Sequence, residues 1–247
     1  SIRLFSSTTT IDEISSCLNW CNNGLSNPPT SMERLTQTTF GTNDPLIFSG
    51  FEQDGRQIRG TPKASNSVLH LVNQNNDVSS NLTLSLSNSP YLINNKTLNV
   101  LAGVTLTIDP GVVVKFENDA RLKVKGTLSA LGSTSSPIVF TSFRDDTFGG
   151  DMNGDGNATI PQPSQWFGLE FTSTSVSSIM DHTIVRYAGK QTNNSYESSV
   201  AVLDSSPSIT NSTIEQGTVN GIFLSNSSSN ILNNLVRTHT IDLTSTG

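Results

Sequence analysis

Short alternations of apolar and polar residues, separated by turn residues, fill the sequence from about residue 97 onward. In Val104–Ile108 and Leu122–Val124 every second side chain is aliphatic, and Gly103, Pro110–Gly111 and Gly126 punctuate the runs. Successive side chains of a strand point to opposite faces, so a period of two over such short runs predicts strands with one buried face. No helical period competes here, and the pattern indicates an all-β fold.

A longer repeat links these strands in the second half of the chain. Ile179–Ile184, Ile209–Ile214 and Ile231–Val236 align without gaps at spacings of 30 and 22 residues, and each has aliphatic residues at both ends. A further strand precedes each copy, at Leu169–Phe171, Val200–Val202 and Ile222–Leu224. Such a period predicts a solenoid whose coils bury their aliphatic residues against neighbouring coils. A two-sheet sandwich would also have short strands, but it would not repeat one two-strand cassette.

The repeat divides the chain into two predicted regions. Residues 1–76 lack it and are expected to form an N-terminal cap, whereas residues 77–247 form the solenoid. The coil that begins at Ile241 is expected to be incomplete, which leaves strand edges open. Either a longer chain or a covering partner would satisfy those edges.

One helix is expected within the cap, over Thr10–Asn22. Ile11, Ile14, Leu18 and Cys21 fall at spacings of three and four residues, which is the period of an apolar helix face. Such a helix either plugs the open end of the solenoid core or packs on its side.

The two cysteines of the chain, Cys17 and Cys21, lie in this predicted helix. A lone pair without a second pair and with three histidines in the whole chain makes a poor zinc site. Four residues of helix place the two Cα atoms about 6 Å apart, which a disulfide can just span. A disulfide and two buried thiols both remain open, and a disulfide would fit an oxidising compartment.

The composition excludes several classes of function. Charged residues make up 14% of the chain and the formal net charge is −6, so there is no basic surface for nucleic acid. No apolar run reaches the length of a membrane span. Because the first seven residues also lack the apolar core of a signal peptide, we interpret the chain as a mature product whose leader is missing.

The clearest chemical feature is an acidic, glycine-rich loop from Asp145 to Gln165. Its oxygen-bearing side chains include Asp145, Asp146, Asp151, Asn153 and Asp155. The first half of an EF-hand loop matches Asp151–Gly156, but Gln162 stands where the bidentate Glu belongs, so this is not an EF-hand. Carboxylates this close repel one another unless a cation neutralises them, and we predict a structural calcium ion held by these five residues. The alternative is a solvated turn whose Asp, Asn and Gly residues serve backbone geometry.

A family resemblance emerges from these segments taken in order. Six of them resemble secreted bacterial right-handed β-helix repeat proteins: Leu101–Phe116, Leu122–Gly132, Ser136–Ser142, Arg144–Asp146, Gly149–Gly156 and Trp166–Phe171. The resemblance implies a right-handed parallel β-helix in an exported protein, extracellular or on the cell surface. Such proteins include adhesins, surface-layer components and polysaccharide-binding proteins, so the fold alone implies no single activity.

On this basis we expect a non-catalytic structural or adhesive module that associates end to end with copies of itself. The alternative is a β-helix that binds or cleaves an extracellular polysaccharide, because pectate lyases and polygalacturonases share the fold. The candidate for carbohydrate binding is Trp166, which would stack on a sugar ring if exposed; anchoring the loop is its other expected role. No catalytic residue is predicted. His182 aligns with Ser212 and Asn234 in the later copies, a pattern typical of a solvent-facing polar position.

The chain also carries six sequons for N-linked glycosylation, at Asn81, Asn95, Asn157, Asn193, Asn211 and Asn226. Random placement in a sequence so rich in Asn, Ser and Thr would give about six. The count therefore predicts nothing about glycosylation.

Overall fold

The computed structural model describes residues 2–6, 9–14, 32–34, 40–42, 48–51, 57–59, 70–72, 77–94, 96–153, 155–156, 158–175, 177–190 and 197–246. Backbone contacts define two compact units, one of Ser1–Leu69 with Asn153–Gly156 and the other of His70–Met152 with Asn157–Gly247. The predicted division of the chain after residue 76 stays a prediction, because residues 73–76 lie outside the described part. Among the described residues, no helix is both long and apolar enough for a membrane crossing.

The described residues of the first unit form three antiparallel strand pairs. These are β1 (Ile2–Ser6) with β2 (Thr9–Ile14), β3 (Met32–Arg34) with β4 (Phe40–Thr42), and β5 (Phe48–Phe51) with β6 (Gln57–Arg59). The helix predicted over Thr10–Asn22 is therefore wrong at its start, where β2 pairs with β1. Threonine and isoleucine are β-branched and favour strands when a partner is present, and helical spacing in a single segment does not reveal that partner. The rest of the predicted helix, with Cys17 and Cys21, lies outside the described residues.

The second unit is a succession of short strands. In chain order they are β7 (His70–Leu71), β8 (Leu82–Leu84), β9 (Tyr91–Ile93), β10 (Thr97–Val100), β11 (Thr105–Ile108), β12 (Val113–Phe116), β13 (Arg121–Val124), β14 (Thr127–Leu131), β15 (Ile138–Ser142), β16 (Gly168–Phe171), β17 (Ile179–Asp181), β18 (Thr183–Arg186), β19 (Ser198–Leu203), β20 (Ser208–Thr210), β21 (Thr213–Glu215), β22 (Asn220–Ser225), β23 (Asn230–Leu232), β24 (Leu235–Arg237) and β25 (Ile241–Thr246). A 3₁₀ turn at Leu86–Asn88 separates β8 from β9.

These strands form three parallel sheets. Sheet 1 has the order β10-β13-β16-β19-β22-β25, sheet 2 the order β8-β11-β14-β17-β20-β23, and sheet 3 the order β7-β9-β12-β15-β18-β21-β24. From β10 onward every third strand returns to the same sheet, so each coil contributes one strand to each sheet. This strand order confirms the predicted parallel β-helix, and crossovers between parallel strands are right-handed in nearly all proteins.

The core consists of aliphatic columns with one residue per coil. In sheet 1 the column contains Leu98, Leu122, Leu169, Val200 and Ile222, which pair in register from one strand to the next. All five are at most 1% exposed. Each member is covered by the members before and after it, so hydrophobic burial joins the coils rather than two opposed layers.

The alignment of the repeats is wrong by one residue in the first copy. Met180, rather than Ile179, pairs with Ile209, which makes the first spacing 29 residues instead of 30. The second spacing of 22 is confirmed by the pairing of Ile209 with Ile231. Met180 is fully buried, whereas Ile179 is 38% exposed. A gapless alignment matched isoleucine with isoleucine, but a slip of one residue exchanges the two faces of a strand.

The corrected register also changes the neighbours of His182. It lies level with Asn211 and Asn233, and all three adopt left-handed backbone conformations, with φ of 49°, 50° and 58°. Asn tolerates this conformation better than most residues, which accounts for asparagine at the corner between sheets 2 and 3. The residue formerly aligned with His182, Ser212, is buried. The expectation of a solvent-facing position is therefore wrong for Ser212, whereas the side chain of His182 is 30% exposed.

The register can be tested with two adjacent substitutions. Met180→Ala removes a side chain from the core column and should lower the free energy of unfolding by about 2–5 kcal/mol. Ile179→Ala, the matched control on the outer face, should cost less than about 1 kcal/mol. Urea unfolding followed by circular dichroism measures both. A larger loss for Ile179→Ala than for Met180→Ala would show that the pairing is off by one.

Candidate functional site

A column of polar side chains follows the outer face of sheet 3. Lys115 of β12 pairs with Thr141 of β15. On the next three strands of the sheet, Arg186 pairs with Glu215, and Glu215 pairs with Arg237. We call these five residues the charged column. Its first two members are fully buried although they point away from the aliphatic core, because the acidic loop folds over them.

Asp145 joins the loop to this column. Its carboxylate is fully buried and accepts hydrogen bonds from Thr141 Oγ1 at 2.6 Å and from the backbone N–H of Thr147 at 3.2 Å. Arg186 Nη1 lies 3.1 Å from the same carboxylate, and Arg186 Nε lies 3.1 Å from Glu215 Oε1. Removing one partner of such a buried pair typically costs about 3–5 kcal/mol. Asp145, a predicted calcium ligand, is thus engaged in an ion pair that holds the loop to the solenoid.

Lys115 is a buried charged residue whose burial the sequence did not reveal. Its ammonium donates a hydrogen bond to the carbonyl of Gly150. Burial lowers the pKa of Lys115 to about 8, while the nearby carboxylates of Asp146, Asp145 and Asp151 act to raise it. In the sequence, Lys115 stands inside the apolar strand β12. A lysine at such a position is ordinarily interpreted as exposed, so the pattern alone did not predict its burial. The ammonium group of Lys115 therefore lies close to carboxylates of the acidic loop.

The other predicted ligands lie within the loop itself. Asp146 and Asp151 belong to the second unit, whereas Asn153 and Asp155 belong to the first, where Asn153 Nδ2 donates to Asp155 Oδ2 at 2.9 Å. Carboxylate and amide oxygens are the ligands that suit a hard divalent cation. Asp145 is instead engaged with Thr141 and Arg186 of the charged column.

Trp166 does not face solvent. Its indole is fully buried, stacks on the Phe116 ring at 3.9 Å between centroids and 7° between planes, and donates from Nε1 to the carbonyl of Arg186 at 2.9 Å. A ring enclosed in this way cannot stack on a sugar, so the predicted carbohydrate contact of Trp166 is wrong. The indole instead anchors the end of the loop in the core, the other role that the sequence suggested.

A second charged cluster links two strands of sheet 1. Arg121 and Lys123 of β13 both reach Glu170 of β16, at 2.5 Å and 2.6 Å from its two carboxylate oxygens. The guanidinium of Arg121 also lies 4.8 Å from the ring centroid of Phe167. Glu170 is buried. The charged column on sheet 3 and this cluster on sheet 1 therefore both join neighbouring coils.

Ser199 of β19 contacts His239, which lies just before β25. Ser199 Oγ lies 3.0 Å from His239 Nε2, and Asp242 Oδ1 lies 3.9 Å from His239 Nδ1. Both the serine and the imidazole are fully buried, so a substrate has no access to the hydroxyl. Gly217 makes the contact possible, because a Cβ there would collide with both side chains. The arrangement is interior polar packing rather than a nucleophile and its base.

The stability of the last coil should depend on the protonation of His239. Burial lowers the pKa of His239, against smaller raising effects of the backbone of Arg237 and the carboxylates of Asp242 and Glu215. A histidine kept neutral in the folded state contributes stability above its unfolded pKa of about 6.5, and loses it as the pH falls through the lower folded pKa.

His239→Gln should therefore reduce the fall in thermal midpoint between pH 7.5 and pH 5. Thermal unfolding of the parent and the variant at both pH values measures the difference. Equal falls in the two proteins would contradict a role for the buried imidazole.

Comparison with known proteins yields one partial similarity. No family model matches the chain, and no solved structure matches it. It is similar to Protein bark beetle of Drosophila melanogaster, with 38% identity over 82 residues. The match covers 33% of this chain and 3% of that protein, so the chain spans only a small part of the relative. The resemblance to secreted bacterial β-helix proteins stays a prediction.

Proposed function

We propose that this chain is a non-catalytic structural or adhesive module of the extracellular space or cell surface, and that copies of it associate through one end of the solenoid. The observation that carries the structural role is that the charged side chains on sheets 1 and 3 join successive coils. Leu243 pairs with Ile222 as the next member of the sheet 1 column and is about half exposed, so a further coil, of the same polypeptide or of a second copy, would cover it.

The last three described strands, β23, β24 and β25, carry four exposed aliphatic residues. We use the name end face for the exposed side chains of these strands that the proposal uses: Leu232, Leu235, Arg237, Ile241, Asp242 and Leu243. Its four aliphatic residues are each about half exposed, and β23, β24 and β25 are edge strands of their sheets in the described part. Fully burying an aliphatic side chain contributes about 1.5–3 kcal/mol, and open strand edges accept further hydrogen bonds. Covering this face is therefore favourable.

The charges of the end face suit a second copy as the covering partner. Arg237 and Asp242 are both more than half exposed and carry opposite charges. Arg237 also pairs with Glu215 within the chain, at 2.6 Å, so a contact with a second copy would extend this pair. In a twofold contact the same patch is used on both subunits, so Arg237 of one copy can face Asp242 of the other. Two identical faces can thus bury their aliphatic residues without placing like charges opposite each other.

Self-association can be tested by sedimentation velocity over a range of concentrations. We expect a reversible dimer in the parent and a monomer in Leu243→Lys, because a lysine there would be buried without a partner. Leu86→Lys is the matched control, since Leu86 is equally exposed but lies beside the early strand β8.

Charge reversal provides the second arm of this test. Arg237→Asp and Asp242→Arg should each weaken the dimer about tenfold or more, and the double variant should restore it. A parent that stays monomeric at all concentrations would refute the proposal, as would single reversals without effect.

We also propose that the acidic loop binds a structural calcium ion, with Asp146, Asp151, Asn153 and Asp155 as its oxygen ligands. Four oxygen-bearing side chains within ten residues of one loop support this ligand set. An ion present at about 100 times its dissociation constant stabilises the folded state by about 2.7 kcal/mol, which raises the thermal midpoint by several degrees.

The midpoint should therefore fall on addition of a chelator. Asp151→Asn should abolish this chelator effect, whereas Asp119→Asn, an exposed carboxylate paired with Lys190, should retain it. An unchanged midpoint in the parent would exclude a structural ion.

Carbohydrate binding was the alternative function. It depended mainly on Trp166, whose burial removes that support. Both charged clusters on the sheets are engaged in contacts between coils, as expected for a structural role. Polysaccharide binding thus stays a prediction from the resemblance, with no site in its favour in the described part of the chain.

A further inference from the structure

Three of the six sequon asparagines lie in the described part of the chain: Asn81, Asn211 and Asn226. The others, Asn95, Asn157 and Asn193, lie outside it. An oligosaccharide is attached through the side-chain nitrogen, Nδ2, so the environment of that atom distinguishes the three sites.

Asn211 and Asn226 use Nδ2 to join successive coils. Asn211 Nδ2 donates to Asp181 Oδ1 at 2.7 Å, and Asn226 Nδ2 donates to Asp204 Oδ1 at 2.8 Å. Asn211 also accepts a hydrogen bond from Asn233 Nδ2 at 3.3 Å. Neighbouring strands are about 4.8 Å apart, so a sugar on either nitrogen would have to fit into a gap that one hydrogen bond spans.

Asn81 has the opposite arrangement. It is exposed, and its Oδ1 accepts the backbone N–H of Thr105 at 2.9 Å. Because the carboxamide is planar, a fixed oxygen directs Nδ2 away from the strand. Among the described residues no hydrogen bond engages this nitrogen. The hydroxyl residue of the sequon, Thr83, is also exposed, and β8 is the outermost described strand of sheet 2.

We propose that Asn81 carries an N-linked oligosaccharide, whereas Asn211 and Asn226 remain unmodified. The proposal rests on the proposed extracellular setting, because the donor, a lipid-pyrophosphate-linked oligosaccharide, belongs to the secretory route. Asn81 Nδ2 forms a bond to the anomeric carbon of the sugar. The bond from that carbon to the pyrophosphate oxygen breaks, lipid pyrophosphate leaves, and the amide loses one proton.

The consequence for the fold differs between the sites. A glycan at Asn81 extends into solvent and leaves the Thr105 hydrogen bond intact. A glycan at Asn211 or Asn226 would displace a contact between coils at a left-handed corner, where φ is 50° and 48°. The solenoid therefore tolerates modification at the first site and opposes it at the other two.

The test is secretion of the full chain, behind a leader peptide, from a eukaryotic host, followed by mass spectrometry of its glycopeptides. We expect high occupancy at Asn81, loss of that glycan in Asn81→Gln and in Thr83→Ala, and little occupancy at Asn211 and Asn226. Secreted protein with Asn81 unmodified, or with Asn211 occupied to a similar extent, would overturn the proposal. Retention of the chain inside the cell would instead count against the extracellular setting.

Matched variants separate the role of the corner asparagines from that of the sequon. Asn211→Gln and Asn226→Gln should each lower the thermal midpoint by a few degrees, because each loses a hydrogen bond between coils. Thr83→Ala removes the sequon of Asn81 but keeps the hydrogen bond between Asn81 and Thr105, so its midpoint should lie within about one degree of that of the enzymatically deglycosylated parent. Equal midpoints for all three variants would show that the corner asparagines do not join the coils, and would remove the reason for them to stay unmodified.

Discussion

The parallel register between successive coils is the constraint on which the rest of this structure depends. Once Leu98 is paired with Leu122, and Leu122 with Leu169, every inward residue is covered by its counterpart in the adjacent coil. The hydrogen bonds of the sheets and the aliphatic columns of the core therefore enforce the same alignment. A coil cannot shift by one residue without turning its buried side chains to solvent.

The same register organises the polar residues. Outward positions also stack, and opposite charges occur at successive levels in Arg186, Glu215 and Arg237. Polar corners stack as well, as in Asp181, Asn211 and Asn233. Where the acidic loop covers sheet 3, the outward positions become interior, and Lys115 and Asp145 supply buried charges of opposite sign. The loop is thus fixed to the solenoid by electrostatic contacts and by Trp166, which stacks on Phe116 in the aliphatic core.

Individual residues show where a pattern in the sequence was insufficient. The helix expected over Thr10–Asn22 followed from spacing, but a neighbouring strand competes for the same backbone hydrogen bonds. Ile179 and Met180 are adjacent and both apolar, so composition could not decide which one reaches the core. Trp166 follows the loop in sequence, yet whether its ring is exposed depends on Phe116, fifty positions earlier in the chain.

The sequence by itself determined the parallel β-helix, the strands from residue 97 onward and the second spacing of the repeat, because alternation and periodicity are local and recur in every coil. Only the tertiary structure decided the first register, the burial of Trp166, the pairing of Asp145 with Arg186 and the burial of Lys115. Each of these depends on residues that meet across coils of unequal length, and a long loop inserted into one coil changes the spacing without leaving a period to follow. Contacts that arise from such insertions are decided by packing, which no single segment contains.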